Sequence, residues 1–161
     1  MKGYSEQCVF LPPVIQLYSF ISKVLERFDS SPYDLGPGKE LRCHELTRAV
    51  KRFLLREEIP YQPPNVMLFD GKYSIVDHSW LELLCKNEKG LCSLYILDVY
   101  AVGQLPQIQL LDLTFSLPHR TSYRAQSRRD DIDMEIVNRV YLDLMTIAQN
   151  AKNYHDYPTS A

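Results

Sequence analysis

Leu41-Arg42-Cys43-His44-Glu45-Leu46-Thr47-Arg48-Ala49-Val50-Lys51-Arg52-Phe53-Leu54-Leu55-Arg56 is the stretch that decides how this chain is read. Its apolar residues Leu46, Ala49, Val50, Phe53 and Leu54 recur at the spacing of one helix face, which places Cys43 in the first turn of a helix. There the unpaired amides and the positive end of the helix dipole favour an anion and lower a thiol's pKa. The same amides can receive an oxyanion. A thiol attacks as its thiolate, so it also needs a base within hydrogen-bond reach, and the base needs an acceptor that fixes its tautomer.

Two further segments offer that base and acceptor. Tyr73-Ser74-Ile75-Val76-Asp77-His78-Ser79-Trp80-Leu81-Glu82-Leu83-Leu84-Cys85 and Leu91-Cys92-Ser93-Leu94-Tyr95-Ile96-Leu97-Asp98-Val99-Tyr100 are rich in β-branched, aromatic and aliphatic residues. The link Lys86-Asn87-Glu88-Lys89-Gly90 has the polarity and glycine of a hairpin loop. Centred on Glu88, the hairpin sets Leu84 opposite Cys92 and His78 opposite Asp98, with side chains on one face about 5 Å apart. A slip of one residue carries Asp98 to the other face.

The order of these motifs resembles the core of the transglutaminase-like superfamily of papain-like cysteine enzymes. The resemblance rests on a cysteine at a helix start and a helix running into Leu54-Leu55-Arg56-Glu57-Glu58-Ile59-Pro60-Tyr61, followed by His78-Ser79-Trp80-Leu81-Glu82 and Ile96-Leu97-Asp98 on strands. It spans Gly38 to Val102 and implies an α+β fold with helices packed on a largely antiparallel sheet. It also implies Cys43 as nucleophile, His78 as general base and Asp98 as orienting acid. The chain departs from the pattern at Leu41 and Glu58, where members often carry glycine, and at Val99-Tyr100, where Pro-Thr is common. No upstream glutamine matches the oxyanion-hole residue of the papain branch.

Working outward, 1–161 reads as a single domain with its core over about 38–102. Pro13 to Phe28 is a first helix with an apolar stripe from Val14 to Phe28, and Asp29 to Lys39 is a loop leading into the nucleophile. Asn65 to Phe69 is a short strand after Gln62-Pro63-Pro64, with Asp70-Gly71 as a turn signal. Ile108, Leu110, Leu111 and Leu113 fit either a strand or a short buried segment. About 130–153 forms a C-terminal helix whose start is favoured by Asp130, Asp131 and Asp133; its stripe lies on the core or, alternatively, in a homodimer contact. Trp80 is expected in the core against the cysteine helix, or walling the site. His44, turned about 100° from Cys43, is expected to face solvent or the substrate rim. The tail Tyr154-His155-Asp156-Tyr157-Pro158 is expected to be frayed, with His155 and Asp156 incidental rather than catalytic.

Several function classes are set aside. A formal charge of -2 argues against nucleic acid, and the cations Arg42, Arg48, Lys51, Arg52 and Arg56 along one helix read as a solvated face. Arg120 to Arg129 is a basic loop that could hold an acidic partner. Asp77 and Glu82 beside His78 raise a metal reading, but no CxxC, HExxH or HxxxH spacing occurs, so neither metal nor cofactor is expected. Cys8, Cys85 and Cys92 are expected to be reduced structural thiols. Without a membrane-length apolar stretch or a signal peptide, a cytoplasmic location is the default. The expected activity is hydrolysis of an amide in a peptide or protein substrate, as a peptidase, amidase or glutamine deamidase. The alternatives are a transglutaminase, an N-acyltransferase, or a non-catalytic protein-binding module retaining the fold.

Overall fold

The structure is a computed structural model and describes residues 12–56, 65–86, 92–100, 109–112 and 122–153. Helix α1 (Pro12–Arg27) begins on two prolines, which suit a helix's first turn, and turns Val14, Leu17, Phe20, Ile21, Val24 and Leu25 into the core. Helix α2 (Cys43–Leu54) starts at the cysteine itself and buries Leu46, Ala49, Val50, Phe53 and Leu54. Five strands follow: β1 (Asn65–Tyr73), β2 (Val76–Lys86), β3 (Cys92–Asp98), β4 (Gln109–Asp112) and β5 (Tyr123–Ala125). Helix α3 (Met134–Asn153) closes the described chain and packs on α2 and α1. The fold class is α+β, with an antiparallel sheet ordered β4-β3-β2-β1-β5.

Strand alternation divides the sheet into two faces. Leu81, Leu83 and Cys85 of β2, Tyr95 and Leu97 of β3, and Val66 and Leu68 of β1 join the helices in the main core. Trp80, Ile96 and Tyr123 form a separate buried cluster with Phe69, Tyr73 and Leu94. Trp80 therefore does not pack on the cysteine helix as expected. It shares its strand face with His78 and stacks on that ring, with centroids 6.3 Å apart.

Local departures from the expected layout have identifiable causes. Asp70-Gly71 is not a turn but lies inside β1, and the chain reverses at Ser74 and Ile75, with Ser74 at φ 56°. Gly71 is there for close approach: a Cβ at this position would stand 2.0 Å from the Arg124 carbonyl oxygen of β5. The β2-β3 hairpin is shifted by two residues, setting Leu84 opposite Leu94 and Lys86 opposite Cys92. Because the shift is even, every side chain keeps its face. Gln109 to Asp112 is a strand on β3, which decides between the two readings that the sequence allows there.

The segment expected as a basic loop contributes β5, whose Tyr123, Arg124 and Ala125 pair with β1. Helix α3 starts later than expected, at Met134, because Asp133 accepts the Glu135 and Ile136 amides. Asp131 instead pairs with Arg42 and Arg129. Nor are the α2 cations simply solvated: Arg48 forms a bidentate ion pair with Asp70, and Arg52 lies over the Tyr141 ring at 4.4 Å. Among the described residues no helix is long and apolar enough to cross a membrane. Of the expected hairpin loop from Lys86 to Gly90, Lys86 ends β2 and the rest lies outside the described residues, as do the Gln62-Pro63-Pro64 strand start, residues 57–61 and the tail from Tyr154.

Candidate active site

Cys43 stands at the first position of α2, and that turn is pinned to the start of β2. Thr47 donates its hydroxyl to the Ser79 carbonyl at 3.2 Å, and His44 meets the Ser79 hydroxyl at 2.6 Å. Cys43 is only 8% exposed, and His78 and Asp98 are 2% and 1% exposed. The three side chains are therefore sheltered from bulk water, so charge interactions among them act strongly.

His78 and Asp98 meet as a diagonal pair. Asp98 is not opposite His78 in the ladder, but it shares the face, and its Oδ2 accepts from His78 Nε2 at 2.7 Å. The same Oδ2 accepts the Tyr123 hydroxyl at 2.7 Å, and Oδ1 accepts the Tyr100 amide at 3.1 Å. A carboxylate with these donors is acceptor-only, so Nε2 carries the imidazole proton and Nδ1 is the ring nitrogen left over, while the ring and the Cys43 thiol act on each other. Burial pushes the His78 pKa down, but the hydrogen bonds and charges of Asp98 and Cys43 outweigh it and hold the imidazole at about 9. Burial likewise pushes the Cys43 thiol up, while hydrogen bonds and charge from His44 and His78 bring it down to about 7. Between these values the favoured state is thiolate beside imidazolium.

Nothing in the sequence marks Tyr123 as a site residue. It comes from β5, and burial together with the Asp98 charge drives its hydroxyl pKa upward, so it remains a donor to the carboxylate. Its ring also packs edge-on against Trp80 at 5.2 Å and Tyr73 at 4.8 Å. His78 is thus fixed by Asp98 through hydrogen bonding and by Trp80 and Tyr123 through ring contacts.

His44 corrects another expectation, because it is 5% exposed and faces inward. All of Cys43 to Thr47 is buried, so helical periodicity, which assumes a solvent face, misplaces this first turn. His44 Nδ1 lies 3.6 Å from Cys43 Sγ, and the Ser79 hydroxyl that it meets donates onward to Asp70 Oδ1 at 2.5 Å. Asp70 also accepts from Arg48 at 2.6 Å and from the Arg129 amide at 3.0 Å. Asp77 pairs with Lys72 at 2.7 Å at the exposed start of β2. No group of three or more His, Cys, Asp or Glu residues arranged to hold a metal occurs among the described residues. Cys85 is a free thiol buried in the main core, where burial raises its pKa, in contrast to Cys43.

Comparison of the chain with protein-family models, with curated proteins and with solved structures gave no match.

Proposed function

We propose that the chain is a cysteine-dependent acyl-transfer enzyme with a papain-like, transglutaminase-like core, hydrolysing an amide bond in a peptide or protein. The observation that carries this reading is the Cys43, His78 and Asp98 arrangement, in which a thiol at about 7 stands against an imidazole at about 9 tied to a buried carboxylate. A buried structural cysteine has no need of that polarisation, as Cys85 illustrates.

The Cys43 thiolate attacks the substrate carbonyl and forms the carbon-sulfur bond. The developing oxyanion faces the first-turn amides of α2, and Arg42 at the N-cap places no side-chain cap on them. Imidazolium His78 gives its Nδ1 proton to the departing amine, leaving an acyl-enzyme and a neutral imidazole. His78 then takes a proton from water as its oxygen attacks the thioester, and collapse releases the acid and the thiolate. Asp98 holds Nε2 throughout, which keeps Nδ1 aimed at the proton in flight.

The test is the pH dependence of Cys43 alkylation by iodoacetamide, followed by mass spectrometry in wild type and His78→Ala. Cys8, Cys85 and Cys92 serve as internal controls. Selective alkylation of Cys43 with a midpoint near 7, lost in the variant, is expected. A Cys43 no more reactive than Cys85 would overturn the reading.

A further inference from the structure

A second imidazole reaches the thiol from the other side. The Ser79 hydroxyl has one proton and directs it to Asp70, a carboxylate whose pKa burial raises but Arg48, Ser79 and the Arg129 amide lower on balance. The Ser79 oxygen is therefore the acceptor in its 2.6 Å bond with His44, and the proton in that bond belongs to His44 Nδ1. That fixes the tautomer and the ring, and it leaves the same N–H beside Cys43 Sγ at 3.6 Å. The Arg48 guanidinium secures the ring's backbone too, donating to the His44 carbonyl at 3.0 Å.

We propose that His44 is a second activating imidazole at the nucleophile, its Nδ1–H shared between the Ser79 oxygen, the main acceptor, and the Cys43 sulfur, the second arm of a three-centre hydrogen bond, so that the thiolate is held between two rings anchored on separate carboxylates. The proposal rests on Cys43 being the nucleophile. The two rings act differently, since His78 moves protons whereas His44 keeps its proton and receives charge. When the second tetrahedral intermediate collapses, the carbon-sulfur bond breaks and its electron pair returns to sulfur, where the His44 N–H meets it. His78 meanwhile retains the proton it took from water. His44 thus improves the thiolate as a leaving group without a proton transfer of its own.

Among the described residues, other groups also bear on this pair. Tyr100 and Glu40 lie on the thiol side, where burial and then the Cys43 and Glu40 charges raise the Tyr100 pKa. Asp77 is bonded to Lys72 at 2.7 Å. None of these replaces an N–H at the sulfur.

Alkylation of Cys43 in the intact chain, read from pH 5 to 10, separates this proposal from the one beneath it. In His44→Ala the midpoint is expected to rise, with the rate at pH 7 falling about threefold or more and the rate at pH 10 unchanged. His44→Asn carries an amide N–H near the place of Nδ1 and is expected to restore the wild-type profile. His44→Gln carries the same amide one bond further out and is expected to follow His44→Ala. Protection of Cys85 reports that each variant is folded, and if His44→Ala loses it the Asn and Gln pair decides. Superimposable Asn and Gln profiles, or a folded His44→Ala that matches wild type, overturn the role of His44 while leaving the His78-dependent thiol intact. A wild-type Cys43 as inert as Cys85 overturns both.

Discussion

Asp98 meets its imidazole directly, Oδ2 to His78 Nε2 at 2.7 Å, whereas Asp70 reaches His44 only through the Ser79 hydroxyl and is itself bridged by Arg48 at 2.6 Å. Both carboxylates are buried, both accept several donors, and both serve a ring beside the same sulfur. The difference lies in where the negative charge is neutralised. Asp98 accepts hydrogen bonds from a phenol, an amide and His78, so the charge that completes its environment is an imidazolium. The Asp70 charge is matched by a bidentate guanidinium, about twice as strong as a neutral hydrogen bond, which leaves a hydroxyl dipole for His44. The first arrangement suits a group that must gain and lose a proton, the second a group that must stay put.

The widest separation between the two carboxylates is in stability. Asp70→Asn leaves Arg48 facing a neutral amide in a buried setting and is expected to cost about 3 to 5 kcal/mol, measured as a lowered denaturant midpoint. Because its pKa in the folded chain is depressed, the Asp70 contribution is complete above the ordinary carboxylate range and disappears as pH falls through the lowered value. A variant as stable as wild type would show that the ion pair is incidental.

Asp98→Asn should instead act on reactivity. With the carboxylate gone the His78 pKa falls from about 9 and the thiol's rises from about 7, so the thiolate-imidazolium window narrows from both sides. Alkylation of Cys43 at pH 7 is expected to drop about tenfold, recovering above pH 9 where any accessible thiol ionises. An unchanged pH profile would sever Asp98 from the thiol. The smallest effect is expected from Tyr123→Phe, which removes one of three donors to Asp98. Stability should fall by about 1 kcal/mol, while the freer carboxylate holds the imidazolium slightly more tightly and moves the upper limb of the profile to higher pH. A downward movement would mean that Tyr123 orients Asp98 rather than competing for it.

This contrast also marks what is legible in the sequence. Cys43 at a helix start and the shared face of His78 and Asp98 follow from periodicities of 3.6 and 2, and the second survives a hairpin shift of two residues because two is the repeat. The Asp70 side is hidden by rules that hold elsewhere. Asp-Gly signals a turn, but Gly71 is small because β5 crosses it closely, and that crossing cannot be read from a segment as polar as Arg120 to Arg129. Periodicity sends His44 to solvent because a helix ordinarily has an outer face, yet every side chain from Cys43 to Thr47 is buried. No local pattern announces Tyr123, whose part depends on a pairing across fifty residues of chain from Tyr73.

The missing side chain at Gly71 has a consequence for the order in which the sheet assembles. β1, β2 and β3 are neighbours in both sequence and sheet, so their contacts close small loops, while β5 must return from far along the chain to a slot shaped by that glycine. Docking of β5 closes the largest loop among these pairings, which predicts faster amide hydrogen exchange at Arg124 than at Leu81 and Leu83. Tyr123 reaches Asp98 only through β5, so a chain with β5 undocked is one whose buried carboxylate is a donor short.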